Sequence, residues 1–249
     1  MNQHQNRILF TAILMWLTIL ACGSESAAPA ATNGSQATLP PAATLTPTPE
    51  PSPTATLAPI PLPEGWLRIE VADKGFAIGL PPGLQQLVPD TAEFQAAHDA
   101  HPPLAPMLDA IAEDFASGAD LYFALELSDE GLADGYPTNI VIARVEMAEP
   151  RSLDVAASGY GAALQKHVGV VIGQERITFL PAGDAEKYSY PNTVGIGPQS
   201  QALDLSVRQY FLVHGKFAYA IICTSLLSDI NVFEPLFDQV AQTFEFIGE

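Results

Sequence analysis

The chain has 249 residues with 28 acidic and 10 basic side chains, a formal charge of −18, and only two cysteines, Cys22 and Cys223. Such an excess of negative charge disfavours nucleic acid and anionic lipid headgroups as partners. With Cys22 assigned to lipid, as argued next, Cys223 has no partner for an intramolecular disulfide, so packing must supply the stability.

The first element is an apolar run from Ile8 to Ala21, preceded by Arg7 and followed by Cys22-Gly-Ser24. About 14 residues suit the core of a secretory signal and fall short of the ~20 that a spanning helix needs. Ile19-Leu20-Ala21-Cys22 resembles the lipobox cut by the lipoprotein signal peptidase, with Ile19 where Leu is usual. The expectation is a signal peptide over 1–21, removed before Cys22, and a lipid on that cysteine. Two acyl chains anchor stably where one is marginal. The alternative is an ordinary signal or an uncleaved anchor with Cys22 incidental.

Residues 23–63 hold ten prolines among Ala, Thr and Ser, with almost no charge. That composition cannot bury enough apolar surface to offset its ordering entropy, so 22–63 is expected to be a disordered tether. In polyproline II it reaches at most ~120 Å. It reads as a spacer, or as a Thr/Ser stalk for O-glycosylation.

Residues 64–249 suit one globular unit, with 26 acidic and nine basic side chains. Trp66–Val71 and Gly75–Leu80 read as a hairpin ended by Pro81-Pro82-Gly83. Helical spacing of Leu104, Met107, Leu108, Ile111, Ala112 and Phe115 follows, with Asp109, Glu113 and Asp114 assigned to the other side. This helical region can begin near Thr91, with a break at Pro102-Pro103. Leu121–Leu127 and Asn139–Met147 predict strands. Ser152 is a suitable N-cap for a helix with a stripe of Leu153, Ala156, Ala157, Tyr160, Leu164 and Val168.

Val171–Leu180, Ala185–Tyr190, Leu203–Val213 and Lys216–Thr224 predict further strands, with Val194-Gly-Ile-Gly197 as a loop and a turn at His214-Gly215. A last helix is expected after Ser228 and Asp229, burying Phe233, Leu236, Phe237 and Val240. Phe244 and Phe246 then close the chain as an edge strand. Strands joined by tight turns, with helices between, predict an α+β fold: an antiparallel β-sheet with helices packed against it.

Gly75-Phe-Ala-Ile-Gly-Leu-Pro-Pro-Gly83, the helix after two strands, the Val213-His-Gly-Lys216 hairpin and the closing Phe233-Glu-Pro-Leu-Phe-Asp-Gln-Val-Ala-Gln-Thr-Phe-Glu-Phe246 together resemble the PsbP family. That family comprises the extrinsic protein of photosystem II and bacterial lipoproteins sharing its fold. Leu84 stands where members often have Trp, and 91–118 resembles an insertion. The resemblance implies a fold and a non-catalytic accessory or adaptor module, with no active site.

Ligand-like residues cluster at His98-Asp99-Ala-His101, where a zinc ion would need Glu93 or Asp109 as well. Against this stand Pro102 and the lack of His-Glu-x-x-His spacing, so a solvated helix end is the competing reading. Ser128–Gly135, with Asp129 and Asp134, is an acidic loop that lacks the alternating order of a calcium loop. Gly-x-Ser-x-Gly is absent, and Cys223 falls in step with Phe217, Tyr219 and Ile221 as a buried strand residue. No catalytic set, metal site or cofactor is expected.

The leading expectation is therefore a lipid-anchored extracytoplasmic protein on the bacterial cell membrane, held through Cys22 and binding an envelope protein or complex without catalysis. A small-molecule-binding lipoprotein comes next. A metal-dependent hydrolase using His98, Asp99 and His101 is the third reading.

Overall fold

The computed structural model describes residues 61–133, 135–169, 173–179, 182–196 and 201–248. The expected signal, Cys22 and nearly all of the expected tether lie outside these residues.

Ten strands form two antiparallel sheets. A small sheet has the order β1 (Leu67–Val71), β2 (Phe76–Leu80), β10 (Glu245–Phe246), with β1 and β10 on either side of β2. The large sheet has seven strands in the order β3-β4-β5-β9-β8-β7-β6. These are β3 (Leu84–Gln86), β4 (Leu121–Glu126), β5 (Asn139–Glu146), β6 (Gly173–Phe179), β7 (Gly183–Ile196), β8 (Gln201–His214) and β9 (Phe217–Leu226). The helices are α1 (Ala92–Ala100), α2 (Ala105–Ala116), the single turn α3 (Asp129–Leu132), α4 (Leu153–Val168) and α5 (Ile230–Gln242). The fold is α+β, with every strand pair antiparallel.

Both faces of the central strands of the large sheet are covered. Alternate side chains of a strand point to opposite faces, and β9 sorts its residues accordingly. Ala218, Ala220 and Ile222 meet a core shared with α1, α2 and α4, including Phe94, Leu108, Ile111, Tyr160 and Leu164. Tyr219, Ile221 and Cys223 meet a second core with α5 and the small sheet, including Phe76, Ile78, Phe237, Val240 and Phe244. Cys223 is fully buried, as its place in the strand predicts.

The joint between the sheets is aromatic. Phe76 stacks on Phe244 at 5.2 Å between ring centroids and meets Tyr122 edge-on at 6.0 Å. Such contacts contribute about 0.5–1.5 kcal/mol each beyond area burial. β10 ends after two residues, and Thr243 continues its work through a side chain: its hydroxyl accepts from the Gly79 amide at 2.8 Å and donates to the Val240 carbonyl at 2.6 Å. A Cβ at Gly79 would lie 2.7 Å from the Leu62 side chain and 3.0 Å from the Thr243 hydroxyl, so only glycine lets both approach.

α5 is also clamped by charge. The Lys187 ammonium sits 2.8 Å from Asp238, Arg208 donates to Glu234 at 2.7 Å, and the Tyr210 hydroxyl donates to Asp238 at 2.7 Å.

Several expectations are corrected. Residues 194–196 continue β7, pairing with 201–203 of β8, where a loop was expected. β3 was not anticipated, and one sheet has become two. Gly215-Lys216 forms the turn, with His214 paired to Phe217. Phe233 and Leu236 are half-buried where full burial was expected. Asp114 lies inside: seven residues after Met107 and three after Ile111, it shares the apolar face of α2, and one carboxylate oxygen has no hydrogen-bond partner among the described residues.

Burial, with Glu113 beside it, pushes the Asp114 carboxyl up to about 6. The folded chain therefore holds a proton that the unfolded chain releases between pH ~4 and ~6, and stability falls as pH rises through that window. Asp114→Asn should be more stable than the parent by about 2 kcal/mol at pH 7. The two proteins should converge below pH ~4 in urea titrations repeated across pH.

Candidate functional site

The residues singled out from the sequence do not assemble into a reaction centre. His98 near the end of α1 lies 3.2 Å from Asp109 on α2 and 3.7 Å from Asp99, a partly exposed pairing with carboxylates. His101 is the C-cap residue of α1, outside its helical turns. Asp129 opens α3, whose first turn is organised by Ser128: its hydroxyl accepts from the Gly131 amide at 3.0 Å and donates to Glu126 at 3.2 Å. Asp134 is outside the described residues. Among the described residues no group of three or more His, Cys, Asp or Glu is arranged to hold a metal ion. Burial pushes the Cys223 thiol far up, first by desolvation and then by the Asp238 charge, so it is held as a neutral thiol.

A cleft of about 350 Å³ lies elsewhere, between α4 and the edge of the large sheet. Of its lining residues, only Ala157 belongs to the helix stripe read from the sequence. α4 begins at Ser152, whose hydroxyl accepts from the Val155 amide at 3.4 Å, and ends at Gly169 with φ 89°. Between these caps it carries unusually small side chains, Ala157, Ser158, Gly161 and Ala162, and these form one wall. A Cβ at Gly161 would stand 3.2 Å from the Tyr188 ring, so glycine there lets the helix settle close onto β7.

The helix is held in place from below. Tyr160 stacks on Phe211 at 4.4 Å. Gln209, 1% exposed, donates to the Tyr160 hydroxyl and accepts from the Tyr190 hydroxyl at 3.0 Å. The Tyr188 hydroxyl donates to the Ala157 carbonyl at 2.9 Å. Each polar group in this core thereby finds a partner, and α4 has one seat on β7 and β8.

The opposite wall is β6. Gln174 donates to Glu186 at 2.9 Å, Arg176 Nε donates to the other Glu186 oxygen at 2.8 Å, and Arg176 Nη2 reaches across to Asp154 at 2.6 Å. Glu186 is 7% exposed, while the Arg176 and Asp154 side chains are 41% and 79% exposed. Arg176 thus forms a strap from strand to helix, firmly rooted at Glu186 and weakly tied at Asp154. The cleft offers amides, a hydroxyl and carboxylates, with no activated nucleophile.

No family model and no curated protein matches the sequence. Among solved structures, the chain is similar to cyanobacterial PsbP from Synechocystis sp. PCC 6803, at 10% identity and a TM-score of 0.44, over 78% of this chain and 99% of that one. It is also similar to the Ran-binding protein Mog1p of Saccharomyces cerevisiae, at 10% identity and 0.40, over 73% and 95%. A third is LpqN, involved in cell envelope biogenesis of Mycobacterium tuberculosis, at 10% identity and 0.38, over 74% and 91%. The α+β architecture read from the sequence, antiparallel strands with helices packed against them, is what the structure has.

The contrast between the seat of α4 and its strap is measurable. Gln209→Leu leaves two buried tyrosine hydroxyls without their partner and should cost about 3 kcal/mol. Asp154→Ala removes one exposed ion pair and should change stability by under about 0.5 kcal/mol. Urea midpoints of the two variants decide it, and a costly Asp154→Ala would make the strap structural.

Proposed function

We propose that this chain is a lipid-anchored extracytoplasmic protein of the bacterial cell membrane, and that its globular unit is a non-catalytic module binding an envelope protein or complex. The division would be signal 1–21, lipidated Cys22 and tether to 63, and α+β unit 64–249. The observation that carries this reading is the order Ile19-Leu-Ala-Cys22, then ten prolines, ahead of a unit in whose described residues no group of three or more His, Cys, Asp or Glu is arranged to hold a metal ion. A tether of this kind raises the local concentration of a domain near partners in the same membrane.

Charge supports the need for a lipid. Of the nine basic side chains in 64–249, eight are drawn into ion pairs: Arg68, Lys74, Arg144, Arg151, Arg176, Lys187, Arg208 and Lys216. The carboxylates in excess leave the surface acidic, which gives no attraction to anionic headgroups. Among the described residues no helix is long and apolar enough to cross a membrane.

The cleft beside α4 favours a second reading, capture of a small polar molecule. Thermal shifts across a metabolite panel separate the two, since a ligand of the native state raises the melting point.

Cys22→Ser should abolish labelling by radioactive palmitate and should leave the chain either released or as unprocessed precursor. A Cys22→Ser chain that is cleaved normally and still sediments with membranes in high salt would overturn the anchor.

A further inference from the structure

We propose that the partner docks as an extended strand along β6, placing a basic side chain in the cleft beside α4. This rests on the binding-module reading above and names the site and chemistry of the contact.

Among the described residues β6 is the last strand of the large sheet, and it pairs only with β7. An edge strand presents a row of backbone amides and carbonyls toward solvent, a template for one more strand. At the other edge β3 is three residues long, whereas β6 has seven. α4 packs over β7 and β8, so the face of β6 beside it is left uncovered, and that uncovered face is the cleft. A strand added about 4.8 Å beyond β6 sends alternate side chains over Gln174 and Arg176 toward Ser158 and Ala162, both exposed.

Charge selects the occupant. Asp154, Glu186 and Arg176 together leave the cleft one negative charge in excess, set in a unit with 26 acidic and nine basic residues. An acidic strand is repelled, and a Lys or Arg is attracted. The strap adapts to it: the Arg176–Asp154 pair is exposed, and such pairs are worth under about 1 kcal/mol. A basic side chain from the partner can take Asp154, while Arg176 stays rooted on Glu186. The small residues of α4 leave room for a long side chain. Gln165 and Gln174, at the rim, supply amide groups to hold it.

The test uses the lipidated full chain in detergent as bait for a displayed library of random linear peptides. Enriched peptides should carry Lys or Arg. Their binding should fall at least about tenfold with Ala162→Trp, which fills the cleft from an exposed position, and with Asp154→Lys, which reverses its charge. Hydrogen exchange at residues 173–179 should slow at least about tenfold on binding. Melting points of both variants, checked against the parent, guard against misfolding. Ser158→Trp is the second cleft-filling variant should Ala162→Trp unfold. The proposal is overturned by enrichment of acidic peptides, by peptides that bind the filled variants equally well, by unchanged exchange along β6, or by no enrichment. Cys22→Ser protein should bind the same peptides, so failure of the anchor and failure of the strand site are read separately.

Discussion

The structure depends on β9 being buried on both faces at once. Its alternation of Ala218, Tyr219, Ala220, Ile221, Ile222 and Cys223 sets mostly small side chains toward α1, α2 and α4 and mostly larger ones toward α5 and the small sheet. A strand covered on one side only would leave half of those residues in water, at ~25 cal/mol for each Å² of apolar surface. Both layers must therefore be in place for β9 to be stable. That requirement joins the two ends of the globular unit: β2 early in it and α5 with β10 late in it meet on the same face, through Phe76, Phe237 and Phe244.

The cleft is a consequence of the same arrangement. One helix, α4, covers only the part of its face formed by β7 and β8, and the sheet extends one strand further. An aromatic seat with satisfied hydroxyls keeps α4 from sliding outward over β6. Buried polar groups have few arrangements in which all are bonded, so Gln209 with its two tyrosines fixes position as well as stability. The uncovered strip is then polar because water must wet it.

Much of the fold was legible as periodicity. The stripe of α4, the alternation in β8 and β9, the cap at Ser152, the helical start near Thr91 and the break at Pro102-Pro103 are local signals, and each is found in the structure. What escaped needed distant partners. β3 is three residues with no pattern of its own and becomes a strand only by pairing with β4. Residues 194–196 contain a glycine and read as loop, yet β8 offers a continuous partner. Asp114 was placed outside on residue type, although its helical phase puts it inside. The candidate cleft was least visible of all, because Arg176, Glu186 and Asp154 lie on three elements, and only the sheet order brings them together.

Charge organises the molecule in opposite senses inside and out. Lys187, which is buried, and Arg208, which is partly buried, are spent against the half-exposed Glu234 and Asp238 to hold α5, and removing either carboxylate would leave a cation poorly solvated. The rim pairs, such as Arg176 with Asp154, cost little to open. A surface with excess carboxylates and eight of its nine cations already committed has one economical way to attract a partner, which is to release a carboxylate from a weak pair at the moment a foreign cation arrives. Among the described residues the strap across the α4 cleft meets that description where an open strand edge also lies, so the backbone contribution of β6 and the charge contribution of Asp154 on α4 act side by side in docking.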